Sequence, residues 1–215
     1  MTKAIIFDMN GVIIDDEAIH ELAFNKVLEK YDFQLSHQEY FQYCMGKTDR
    51  LGFEIIAQNK NINIDINRAI KDKNDYYLKL FPNHKKTYPD VIELIRSLSQ
   101  NHKLGLCSGS VKEEVALVLK EFKVTDYFRA ITTSEDITHS KPDPEPYLLT
   151  AQKLNILPDQ CLVIEDSPSG VQSAKGAGMT CIGVLTTHKK EDLFQADVIL
   201  PDFESIKKYI GEKCQ

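Results

Sequence analysis

Six short, largely apolar runs, at residues 3 to 7, 103 to 107, 128 to 132, 161 to 165, 180 to 184 and 197 to 200, constrain this chain more than any other feature. They are near-continuous rather than alternating, which is the pattern of strands buried on both faces. Such strands occur in parallel sheets covered by crossover helices. From about residue 90 onward, helical patterns separate the runs. Ser110-Val111-Lys112-Glu113 reads as a capping box opening a helix whose apolar stripe is Val111, Val115, Val118 and Phe122. Asp143-Pro144 and Ser167-Pro168 each set a capping side chain before a proline suited to the first helical position, and Gly176 and Gly178 close the helix after Ser167. The sequence therefore predicts an α/β protein: a parallel-sheet core with helices on both faces, joined by the run at 3 to 7.

Residues 16 to about 85 contain no convincing strand. Phe24, Val27, Leu28 and Tyr31 fall at i, i+3, i+4 and i+7, and similar periodicity recurs around 49 to 58 and 66 to 80. The prediction is a core of residues 1–15 and 88–215 interrupted by a small α-helical domain of residues 16–87. Its predicted hinges are Asp15-Asp16-Glu17 and the stretch "FPNHKKTYPD" at 81 to 90, where proline, Asn and paired Lys break the pattern.

At 215 residues, 42% hydrophobic and 27% charged, the chain has the composition of a soluble globular protein. A net charge of -6 argues against nucleic acid as a partner, because phosphate backbones are bound through Lys and Arg excess. The five cysteines are scattered without CxxC spacing, so neither a zinc site nor a disulfide framework is indicated. Cys107 and Cys161 lie inside apolar runs and read as small buried hydrophobes. No run approaches a membrane span and residues 1 to 20 lack a basic leader, so the predicted setting is cytoplasmic, with no membrane partner.

Three runs end in polar residues: Asp8 after "AIIF", Ser108 after "LGLC", and Glu165-Asp166 after "CLVI". In a parallel sheet these ends share one edge, where open α/β sheets bind their ligands. Carboxylates clustered without His or Cys suit a hard cation, and a small number of them with open water positions suits Mg²⁺, which in turn attracts phosphate. Lys141, in "THSKPDPEP", would add a compact positive charge, and the amides around Ser108-Gly109-Ser110 would add anion-binding donors. Bland readings stand beside these. Asn10-Gly11 between apolar runs is a hairpin signal. Ser108 suits a turn, Ser110 a helix cap, and Glu165 and Asp166 a helix start. The convergence of the set favours a site.

"FDMNGVIID", "LGLCSGS", "SKPDPEPY" and "VIEDSPSGVQSAKGAGM" resemble, in order, the four motifs of the haloacid dehalogenase superfamily, and within it the branch of β-phosphoglucomutases and related sugar-phosphate phosphatases. The resemblance implies a Rossmann-like core with an inserted cap domain, and hydrolysis of a small phosphorylated metabolite through an aspartyl-phosphate by a monomer or weak dimer. It makes Asp8 the nucleophile and gives Mg²⁺ to Asp8, the Asn10 main-chain carbonyl and Asp166, with Glu165 close behind. Ser108 and Lys141 would hold the phosphoryl group, joined by Gly109 and Ser110. In the cap, His20 falls where mutase-like members relay or position protons, and Gly46, Lys47, Thr48 and Arg50 lie in the substrate-reading segment.

One position departs from the pattern. The phosphatases and mutases of this family carry a second Asp two residues after the nucleophile, which protonates the leaving group; this chain has Asn10. An amide cannot trade a proton at neutral pH, and such acid-base help is worth about 10²- to 10⁴-fold in rate. Four readings remain: an engineered Asp-to-Asn variant; a slow phosphatase in which His20, Asp15 or Asp16 supplies the proton; a phosphonatase-like chemistry using Lys47; and a catalytically weak binder of a phosphometabolite. Mutase activity is the alternative to hydrolysis.

Overall fold

The computed structural model describes residues 2–213. Six strands form one sheet: β1 (Ala4–Phe7), β2 (Lys103–Cys107), β3 (Phe128–Thr132), β4 (Cys161–Glu165), β5 (Thr180–Val184) and β6 (Val198–Leu200). All pairings are parallel, in the order β3-β2-β1-β4-β5-β6. The helices are α1 (Glu17–Leu28), α2 (His37–Tyr43), α3 (Asp49–Lys60), α4 (Ile66–His84), α5 (Val91–Leu98), α6 (Lys112–Glu121), α7 (Glu145–Leu154), α8 (Pro168–Gly176) and α9 (Phe203–Lys213).

The period of two along each strand sorts its residues between two apolar layers. Ile5, Phe7, Leu162 and Ile164 join Leu94 and Ile95 of α5, Val115 and Val118 of α6, and Phe203 and Ile206 of α9. Ala4, Ile6, Cys161 and Val163 join Tyr147 and Ala151 of α7 and Val171 and Ala174 of α8. Fully burying a side chain of this size stabilises the fold by about 1.5–3 kcal/mol, so both faces must be covered. That is why the strands read as continuous apolar runs. Strand order reverses beside β1, which has β2 on one side and β4 on the other, and this opens the crevice in which such sheets place their ligands.

Helices α1 to α4 carry their own apolar cluster, with Phe24, Val27 and Leu28 of α1 packed among Tyr40, Phe53, Ile56 and Ala69. Three local expectations are corrected. The run Val12-Ile13-Ile14 forms no hairpin with β1; the amides of Val12, Ile13 and Ile14 all converge on the Met9 carbonyl in a tight turn. Helix α4 does not break at Pro82 but runs on to His84, because Pro82 lies in the last turn, where the chain is about to leave the helix. Ser110 is not the cap of α6; Val111 holds that position, and the Lys112 amide donates to Glu135 Oε2 at 2.7 Å. By contrast Ser167 caps α8 through Gly170 N, and the left-handed Gly178 follows its end. Cys44, Cys107, Cys161 and Cys181 are free and buried, while Cys214 lies outside the described residues.

Candidate active site

The carboxyl ends of β1, β2 and β4 meet at one edge, so Asp8, Ser108, Glu165 and Asp166, distant in sequence, are neighbours. One ligand oxygen from each of Asp8, Glu165 and Asp166 lies within 4.8 Å of the others, and all three residues are buried. Lys141, in the loop before α7, donates to Asp8 Oδ1 at 2.6 Å, Glu165 Oε1 at 2.7 Å and the Cys107 carbonyl at 3.3 Å. The Tyr147 hydroxyl also donates to Glu165 Oε1, at 2.7 Å, and the amides of Asp166 and Ser167 donate to its Oε2. Glu165 is thus pinned beneath the site.

Space here is won by glycine. At Gly11, whose φ is +78°, a Cβ would fall 2.0 Å from Asp166 Oδ2, and at Gly170 one would fall 1.7 Å from Glu165 Oε1. Both carboxylates approach backbone that has no room for another side chain.

Charge is unbalanced. Burial pushes the Asp8 carboxyl up to about 7 against the pull of Lys141, with Glu165 adding to the rise. Burial, followed by Glu165 and Asp8, raises Asp166 well above the carboxylate range. Burial opposes the Glu165 charge too, but Lys141, Tyr147 and the Ser167 amide hold it below its usual value. Three carboxylates share one ammonium, an excess of negative charge that a hard cation would neutralise.

Asn10 sits between two groups of partners. Its Oδ1 accepts from Ser110 Oγ at 3.1 Å and Ser108 Oγ at 3.3 Å. Its Nδ2 lies 3.1 and 3.0 Å from the two Asp16 oxygens and 3.0 Å from His20 Nε2. Asp16 is fully buried and also accepts from the Tyr77 hydroxyl at 2.5 Å, while His20 Nε2 stands 3.2 Å from its Oδ2. Burial works against the Asp16 charge, yet His20, Tyr77 and Asn10 bring it below the usual range. For His20, burial and Lys73 disfavour the charged ring, but Asp16 outweighs them and the net shift is upward. Asp15 faces elsewhere, pairing with Lys86 at 2.6 Å beside the strand-like crossing of the chain at Ile14 and Thr87.

A cleft of about 820 Å³, counting its open mouth, brings together Asp8, Asn10, Ser108, Gly109, Ser110, Lys141 and Asp166 with His20, Gly46, Lys47 and Thr48. Residues of α1 and α2, the loop 44–48 and Asp49 at the start of α3 form its far wall, where the Gly46 carbonyl accepts from Ser169 Oγ of α8 at 3.1 Å. Arg50 is outside the cleft lining and donates to Asn67 Oδ1 at 2.7 Å. Lys47 lines the cleft, but its ammonium donates to the carbonyls of Gln42 and Met45. Glu17, which the sequence marks only as part of a hinge, and Asp49 also line it; acids in the first turn of a helix are ordinary and carry no site signal. Tyr77 was hidden for another reason: only the fold carries α4 back to Asp16. Thr187, likewise unmarked, donates to Asp166 Oδ2 from the loop after β5.

Comparison with known proteins bears on the family and the fold. The family model of the haloacid dehalogenase-like hydrolases matches residues 5–184. A Thermotoga maritima protein named phosphorylated carbohydrates phosphatase is 31% identical over 178 residues, covering 82% of each chain. The β-phosphoglucomutase of Bacillus subtilis is 31% identical over 192 residues, covering 85% of this chain and 83% of the relative. The crystal structure of β-phosphoglucomutase from Clostridium difficile superimposes with a TM-score of 0.86 at 27% identity, covering 100% of this chain and 99% of the other. The chain belongs to the haloacid dehalogenase-like hydrolase family, as its four motifs led one to expect. Its Rossmann-like α/β core is that of its structural neighbours.

Proposed function

We propose that this protein is a divalent-cation-dependent phosphatase of small sugar-like phosphomonoesters, working through an aspartyl-phosphate on Asp8 and slowed by Asn10. The observation that carries the reading is the convergence of Asp8, Asp166 and Lys141 with the Ser108 hydroxyl at one sheet edge, under a wall of inserted helices. The names of relatives, a phosphatase of phosphorylated carbohydrates among them, support the choice of substrate. Mg²⁺ fits the donor set, which is all oxygen and carries more negative charge than Lys141 balances. Asp8, Asp166 and the Asn10 main-chain carbonyl would hold it, with Glu165 behind. When bound, it would supply charge neutralisation for the phosphoryl oxygens.

The chain's own residues define the rest. Lys141 fixes the Asp8 carboxylate, and Ser108 and the amides leading into α6 receive phosphoryl oxygens. An Asp8 oxygen bonds to phosphorus as the ester P–O bond breaks, and the departing alkoxide takes a proton. Water then attacks the phosphorus, releasing phosphate and restoring Asp8. Asn10 cannot give that proton. The titratable side chains touching its amide are His20 and Asp16, which we assign to the slower proton supply. We expect phosphate release from hexose monophosphates and an activated aryl phosphate in Mg²⁺, abolished in Asp8→Asn and in chelator. Release that persists in Asp8→Asn would refute the assignment. A phosphosugar mutase is the second reading, favoured by the name of the Bacillus relative.

A further inference from the structure

A second pocket lies at the opposite end of the sheet from Asp8. It encloses about 710 Å³, counting its open mouth, and is lined by Ser99, His102, Lys123, Asp126, Tyr127 and Arg129. His102 directly precedes β2 and Arg129 is the second residue of β3, so the length of a five-residue strand, about 16 Å, separates the pocket from Ser108. Its charge runs against that of the chain: Lys123 and Arg129 face one acid, Asp126, in a protein whose net charge is -6. Among the described residues no hydrogen bond or ion pair engages the Lys123 ammonium, the Arg129 guanidinium or the Tyr127 hydroxyl, and Asp126 pairs with neither cation. Two details add to this. Five non-glycine residues among those described hold a left-handed backbone; four are Asp or Asn, which tolerate it, and the fifth is Lys123, at φ +56°. A glycine would take this turn after α6 without strain, yet the position carries an ammonium. His102 keeps Nδ1 out of water with no hydrogen-bond partner, so its ring turns toward a ligand at no cost in hydrogen bonds.

We infer that this pocket is a phosphate-binding site separate from the catalytic edge, taking the dianion of inorganic phosphate or of a small phosphomonoester. The planar guanidinium of Arg129 matches two oxygens of a tetrahedral anion, and the Lys123 ammonium and Tyr127 hydroxyl supply further donors. The Ser99 hydroxyl already donates to the Arg96 carbonyl at 2.7 Å, so it contributes no donor. The carbonyl ends of α5 and α6 favour a cation beside each, which accounts for a positive charge near Ser99 and at Lys123. Arg129 has no such role, because it belongs to β3 and not to a helix end. The inference goes beyond the phosphatase reading and does not depend on it, since none of these residues lines the catalytic cleft.

The test is residue-resolved amide NMR of the whole protein in chelator, in the wild-type protein, Lys123→Asn and Arg129→Gln. Each is titrated with inorganic phosphate, with hexose 6-phosphate, and with sodium chloride at matched ionic strength. The asparagine keeps a residue suited to the left-handed turn. Amides at residues 99, 102 and 123–129 should shift saturably with at least one phosphate compound and not with chloride, and each variant should weaken that affinity about tenfold. Tighter binding of the ester would assign the pocket to a phosphorylated metabolite, and equal or tighter binding of inorganic phosphate to the free anion. Amides around Asp8 and Ser108 report the catalytic edge separately. No saturable shift at the pocket residues, shifts that chloride reproduces, or an affinity unchanged in either variant would overturn the inference.

Discussion

At the scale of single residues, the question is what residue 10 does with its neighbours. The Asn10 amide donates toward both oxygens of the buried Asp16, so an aspartate in its place would set two carboxylates about 3 Å apart. Like charges that close share a proton, which raises the pKa of one of them. Asn10→Asp is therefore expected to hold a proton ready for the leaving group and to speed release from sugar phosphates by about 10²-fold or more. An activated aryl phosphate, whose leaving group needs no proton, should gain far less; equal gains for both esters would contradict this role. The missing acid was legible in the sequence from the motif around Asp8. The company it keeps was not, because Ser110 offered a local capping reading while its hydroxyl actually meets Asn10 Oδ1 from across the sheet edge.

At the scale of elements, β4 and α8 are joined through Glu165 and Gly170. Gly to Ala inside a helix ordinarily stabilises by about 1 kcal/mol. Here the added Cβ would strike the Glu165 carboxylate, so Gly170→Ala is expected to lower both thermal stability and phosphatase activity, as thermal melts and phosphate-release assays can report. Further along the sheet, Asp197 accepts from Lys175 Nζ at 2.7 Å through each oxygen and from the Cys181 amide at 2.8 Å. Partial burial opposes its charge, but these donors hold it below its ordinary 3.8. A depressed carboxylate stabilises the fold fully above its unfolded value and loses that contribution as pH falls through the folded one. Asp197→Asn should thus reduce the melting temperature at pH 7 and much less near pH 3; an equal loss at both would exclude the ion pair as the cause. Strands were the legible elements, since burial on both faces writes itself as continuous apolar runs. The turn after Asp8 was less so: Asn10-Gly11 carries a hairpin signal, yet three amides close instead on the Met9 carbonyl. Helix α2 gave little periodic signal, having a single buried residue, Tyr40, in seven.

For the molecule as a whole, the helical insertion and the sheet layer meet through Lys73 of α4 and Glu114 of α6, both with fully buried side chains. Burial disfavours the Lys73 charge, but Asp49 and Glu114 together raise its pKa. Breaking a buried pair strands the partner's charge, so Glu114→Gln is expected to cost about 3–5 kcal/mol in urea unfolding, whereas replacing Lys73 and Glu114 together by apolar residues should recover much of it. Nothing in the sequence pairs these two positions, since 41 residues separate them and each reads as a surface charge on its own helix. The central claim concerns Asp8, and the most direct measurement is acid-quenched mass spectrometry of the protein mixed with Mg²⁺ and a hexose monophosphate. One phosphoryl group is expected on the peptide containing Asp8, and none in Asp8→Asn. Substrate turnover with no phosphoryl group on that peptide under rapid quench, or a label that survives in Asp8→Asn, would contradict it.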